Sequence, residues 1–170
     1  MKKYCFYLVV VLLTNTALFA QNNFWSFPQK SINLEKYDFS LYTDFESRVL
    51  DLSSLENFLG TVPNGVENYN RKITFQLPLP NNSIHDFMIV ETPIVSEAIS
   101  NEWTNCKTYS AYDPNDNLIS AKIDVTIKGF HAMIFTHEGT VFIDPIDNSK
   151  NLYVIYYKKN YKKPDDKFFE

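Results

Sequence analysis

A hydrolytic zinc site needs two histidines one helical turn apart with a glutamate between them, because positions i and i+4 share a helical face. His137-Glu138 opens that pattern, but Val141 stands where the second histidine belongs, and His137-Glu138-Gly139 is expected as a β-turn. His85 and His131 are remote in sequence, so only the fold could gather the three imidazoles. A thiol nucleophile needs a base beside it. Cys106 has Lys107 as neighbour but no paired histidine, and it is expected as a small apolar residue entering a sheet. Asp113-Pro114-Asn115-Asp116-Asn117 offers oxygens at positions 1, 3 and 5 of a calcium loop, with Asp124 at position 12. Leu118 occupies the place of the required glycine, so a tight turn is the expected structure. Asp144, Asp147 and Asn148 form a second cluster of the same kind. The four glycines are scattered, which excludes a phosphate loop. These residues assemble no complete catalytic site, metal site or cofactor site.

The elements that must position these residues are mostly strands. Tyr and Phe are abundant and glycine scarce, a composition suited to pleated surfaces. A short strand is expected within Tyr42 to Leu50. Ser53-Ser54-Leu55-Glu56 has capping-box spacing, and Leu52, Leu55, Phe58 and Leu59 share one helical face. Gly60 would end that helix in a left-handed conformation, and Pro63 would prevent its resumption. Ile73, Phe75, Leu77 and Leu79 then alternate with polar residues and prolines, as on an edge strand. Asn81-Asn82-Ser83 turns the chain into a partner strand over Asp86 to Glu91. Thr92-Pro93 opens a second short helix with Ile94, Val95, Ala98 and Ile99 inward.

After the Asp113 turn, Ile119, Ala121, Ile123, Val125 and Ile127 are expected on one face of a half-buried strand. Phe130 to Phe135, Thr140 to Ile143 and Leu152 to Tyr157 follow as strands, with Asp144-Pro145 through Lys150 as a turn. Short strands joined by tight turns predict an α+β, mostly β domain: one antiparallel meander with one packed face, and two short helices. Tyr153 and Tyr157 could then present an exposed binding face.

Lys2 and Lys3 precede an uncharged apolar run from Phe6 to Leu13, followed by Ala17 to Ala20 and a polar Gln21-Asn22-Asn23. That order is a secretory signal peptide over residues 1–20, too short to span a bilayer, with cleavage expected after Ala20. The chain is expected to be exported to periplasm, cell surface or medium, with no membrane segment after cleavage. Residues 21–40 are expected as a loosely ordered lead-in, 41–157 as one folded domain and 158–170 as a charged linker or tail. Cys106 alone remains beyond the leader, so the fold must rest on its core without an internal disulfide. The formal charge of −4 gives no electrostatic reason to bind nucleic acid.

Several segments between Met88 and Tyr157 resemble one family. They are Glu91-Thr92-Pro93-Ile94-Val95, Lys107-Thr108-Tyr109 and Ile123-Asp124-Val125-Thr126, then Gly129-Phe130-His131-Ala132-Met133-Ile134, Gly139-Thr140-Val141-Phe142-Ile143-Asp144-Pro145 and Tyr153-Val154-Ile155-Tyr156-Tyr157. Together they resemble the N-terminal prodomain of secreted reprolysin-like (M12B-type) zinc metalloproteases of the Bacteroidota. The specific residues are Gly129, Phe130, His131, Ala132, Met133, Gly139, Asp144, Pro145 and Tyr156. The family's catalytic domain would follow from about residue 160, and its zinc-binding helix is not in this sequence. The resemblance therefore implies a propeptide role, as inhibitor and folding assistant of a protease catalytic domain acting in cis or in trans, and not peptidase activity. Cys106 does not sit in the cysteine-centred motif that some such prodomains use to bind zinc. The alternative from a different class is a free-standing secreted or cell-surface binding or adhesion module, which would expose a patch containing Tyr153 or Trp103.

Overall fold

The computed structural model describes residues 23–65, 73–93 and 106–163. The signal peptide, the helix expected after Thr92-Pro93, Trp103 and the last seven residues lie outside the described residues. One antiparallel sheet of nine strands carries the fold, in the order β1-β2-β9-β8-β7-β6-β5-β4-β3. Its strands are β1 (Trp25–Ser26), β2 (Glu46–Leu50), β3 (Ile73–Pro78), β4 (Ile84–Glu91), β5 (Lys107–Tyr112), β6 (Ser120–Thr126), β7 (Gly129–Thr136), β8 (Gly139–Asp147) and β9 (Leu152–Tyr157). From β3 to β9 each strand pairs with the next, so this part is the expected meander. β2 and β1 then add to the far side of β9.

The sheet curls toward a barrel. Phe24, beside β1, meets Phe75 of β3 at 6.1 Å between ring centres, and Phe58 of the single described α-helix stacks on Phe75 at 5.7 Å. Burying these rings together brings the two ends of the strand order near one another. The helix, α1 (Leu52–Leu59), sends Leu55 and Leu59 into the core. Its cap differs from the capping-box expectation: Asp51 is the N-cap, and its carboxylate accepts from both the N–H and the hydroxyl of Ser54. Gly60 closes the helix in right-handed geometry (φ −63°), so no left-handed residue is needed there.

The core is the concave face, filled by Phe75, Leu77, Phe87, Ile89, Phe130, Ile134, Ile143 and Ile155. The period-two pattern of β6 is observed for Ala121, Ile123 and Val125, but Ile127 falls in the turn after the strand and is 83% exposed. β8 runs past the expected Asp144-Pro145 turn to Asp147, absorbing Pro145 through an irregular register opposite β9. A proline without an N–H is tolerated at such a break.

The expectation of a single packed face fails at β9, whose six residues are all buried. On its convex side, Tyr156 is covered by Tyr42 at 4.8 Å and Tyr161 at 5.7 Å, with Phe39 and Phe45 stacked beside Tyr42. Backbone bonds from Thr43 to Asn160 and from Lys162 to Leu41 tie this layer together. The segments expected as a loose lead-in and a tail thus contribute order: β1 joins the sheet with Trp25 buried, and Tyr37 donates to Asp147 at 2.7 Å. Aromatic side chains at both ends of the domain find a common apolar surface only when both are laid on β9.

Candidate functional site

Antiparallel connectivity decides what meets what. The β3–β4, β5–β6 and β7–β8 turns all lie at one end of the sheet, so residues far apart in sequence share one rim. His85 at the start of β4 places Nε2 2.8 Å from Asp113 Oδ2 on the β5–β6 turn. Three residues on, Asp116 Oδ2 lies 2.6 Å from His137 Nε2 on the β7–β8 turn. Glu138, next to His137, accepts from the Tyr157 hydroxyl at 2.6 Å. The three pairs make a belt from β4 to β9 around a small mouth of about 140 Å³ floored by Leu79, Phe87 and Ile119.

The electrostatics follow from these contacts. Asp116 is held below the usual carboxylate value, first by its bond with His137 and then by the Leu118 N–H. Asp113 is lowered chiefly by the Asn115 N–H, with His85 adding to it. An ionised carboxylate only accepts, so each imidazole donates through Nε2. The Tyr157 hydroxyl is pushed up to about 12 by burial and by its bond to Glu138.

A second network lies on the convex face and joins three residues of the family-type segments. His131 Nδ1 is 3.0 Å from Asp144 Oδ1, and the Tyr156 hydroxyl donates to Asp144 Oδ2 at 2.7 Å. Asp124 stands directly across from His131 on β6, and burial raises its carboxyl above the ordinary value. Tyr156 is raised too, first by burial and then by Asp144. Met133 pairs with Phe142 on the same strands, and Pro145 lies opposite Tyr153.

The other family-type residues serve the backbone and core. Phe130 and Ala132 are buried on the concave face, Phe130 edge-on to Trp25 at 5.6 Å. Gly129 (φ +108°) and Gly139 (φ +128°) open β7 and β8 in conformations that side chains rarely adopt. Tyr153 is 1% exposed, and its hydroxyl accepts from the Phe130 N–H at 3.2 Å. Tyr157 is buried as well. The exposed tyrosine face expected on β9 is therefore replaced by a buried strand.

Two of the three histidines meet at one rim and the third lies elsewhere. The residues that reading the sequence assigned only to a turn, Asp113 and Asp116, are the partners that organise the rim. Among the described residues, the side-chain hydrogen-bond partners of the imidazoles are carboxylates, and no group of three or more His, Cys, Asp or Glu side chains is placed to hold a metal ion. What the site does chemically is orient imidazoles against carboxylates and tie neighbouring hairpins together.

The fold defines a class, a mostly β domain whose single antiparallel sheet is curled around one core with one described helix. Compared with protein-family models, curated proteins and solved structures, the chain matches none.

Proposed function

We propose that this chain is a propeptide-like domain of the reprolysin-like metalloprotease kind, covering a protease catalytic domain while assisting its folding. The observation that carries the reading is the placement of the family-type segments. Gly129–Ile134, Gly139–Pro145 and Tyr153–Tyr157 fall on three adjacent strands, β7, β8 and β9, and His131, Asp144 and Tyr156 meet in one network. Segments that resemble one family thus form one structural unit. Covering another protein requires a surface to offer it. Among the described residues β3 ends the strand order and pairs with β4 alone, so an extended segment of a partner can add beside it by backbone hydrogen bonding.

Co-expression of this chain with the catalytic domain of a reprolysin-like protease tests the reading. A higher yield of folded catalytic domain, together with slower peptide hydrolysis, is the expected result. Unchanged yield and unchanged hydrolysis would remove it.

A further inference from the structure

We propose that the cleft between α1 and the β5–β6 hairpin, at the end of the sheet opposite the rim of His85 and His137, binds a small monoanionic molecule with an apolar body and a carbonyl-type acceptor at its inner end. This goes beyond the covering role and does not depend on it. The cleft has a volume of about 340 Å³. That is the size at which pockets for small ligands begin, about 300 Å³.

Its walls divide by chemistry. Leu59, Val125 and Ile127 supply apolar surface, and Ile127 leaves most of its side chain in solvent. Tyr109 lines the cleft while being almost wholly buried, and its hydroxyl has no hydrogen-bond partner among the described residues. A buried hydroxyl that has left water without gaining an acceptor is unfavourable, and a ligand carbonyl reaching it would remove that deficit. Lys107 and Glu56 also line the cleft, both exposed, and neither belongs to an ion pair among the described residues. Lys107 provides one cation for one anionic group. Glu56 on the same cleft repels a second, so a monoanion fits better than a dianion.

Amide chemical shifts recorded by NMR during titration with 4-acetylbenzoate test the site. This compound carries a carboxylate, a ring and a ketone; 4-isopropylbenzoate lacks the acceptor and 4-acetylbenzamide lacks the charge. Saturable shifts at Leu59, Lys107, Thr126 and Ile127 are expected for 4-acetylbenzoate, with binding by either control about tenfold weaker. Tyr109→Phe should abolish the preference for the acetyl over the isopropyl compound while leaving the thermal midpoint unchanged or higher. Lys107→Gln should abolish the preference for the acid over the amide. A purely structural tyrosine would not move either preference. The proposal is overturned by no saturable shift up to ~10 mM ligand, by equal binding of all three compounds, or by a Tyr109→Phe variant that keeps the acetyl preference.

Discussion

Gly129 and Gly139 look alike in sequence, since each precedes a strand after a turn. Their surroundings separate them. A Cβ on Gly129 would lie 3.0 Å from Asn148 Oδ1 and 3.2 Å from the Tyr153 hydroxyl, whereas one on Gly139 would meet nothing within 4 Å. Both positions carry the backbone penalty of a positive φ. Gly129→Ala is therefore expected to lose more stability than Gly139→Ala, with a loss of about 1–3 kcal/mol from strain before any clash is added. Urea unfolding of the two variants checks the order, and equal losses would show that the Tyr153 contact gives way freely. Tyr156→Phe probes the convex network: it leaves Asp144 Oδ2 without its hydroxyl donor and should cost about 1 kcal/mol in the same measurement. Alternation along a strand such as β6 was readable from side-chain types, but these partners were not. They lie 12 to 23 residues apart in sequence, and only the strand register brings them together.

The helix and the last strand show how far local pattern carries. Leu55 and Leu59 occupy the face their spacing demands, so the inward side of α1 was legible. The cap was not, because Asp51, Ser53 and Ser54 are all competent N-caps and a shift of one or two residues leaves the apolar face nearly unchanged. With Asp51 as the cap, Asp51→Ala should lower stability by about 1 kcal/mol, while Ser53→Ala should change it by less than half as much. The reverse order in thermal or urea unfolding would restore the capping box. β9 misled for a different reason. Leu-Tyr-Val-Ile-Tyr-Tyr is apolar on both faces, which is the signature of a strand covered twice, yet tyrosine tolerates a wet surface as readily as a dry one. The cover comes from Tyr42 and Tyr161, whose approach depends on chain segments more than a hundred residues apart.

At the scale of the whole molecule, connectivity turns a scatter of charged residues into a belt. The meander was legible, and a meander puts alternate turns at the same end; His85, Asp113, Asp116 and His137 could have been grouped from that rule alone. What sequence could not supply is the pairing of each imidazole with its own carboxylate, which depends on the curl of the sheet. The pairing has a consequence for acid stability. Asp113 and Asp116 have folded values below the ordinary 3.8, so they contribute stability that is fully present above that value and is lost as pH falls through the folded values. Glu46 acts with the opposite sign. It is buried beside Arg48 on β2, and desolvation raises it above 4.5 despite the Arg48 charge, so its contribution is present below 4.5 and is lost as pH rises through the folded value. Asp124 has the same sign as Glu46. Urea midpoints measured between about pH 2.5 and 7 should therefore fall on the acid side, and the Asp113→Asn/Asp116→Asn double variant should flatten that fall. His137→Asn removes the largest cause of the Asp116 shift and should flatten it in part. An acid limb that is identical in wild type and double variant would mean that the β5–β6 turn is held by its backbone bonds alone, from Asp113 to Ile119 and from Ile119 to Asp116. The histidine belt would then be an ornament of the rim and not one of the ties that keep the hairpins of the sheet together.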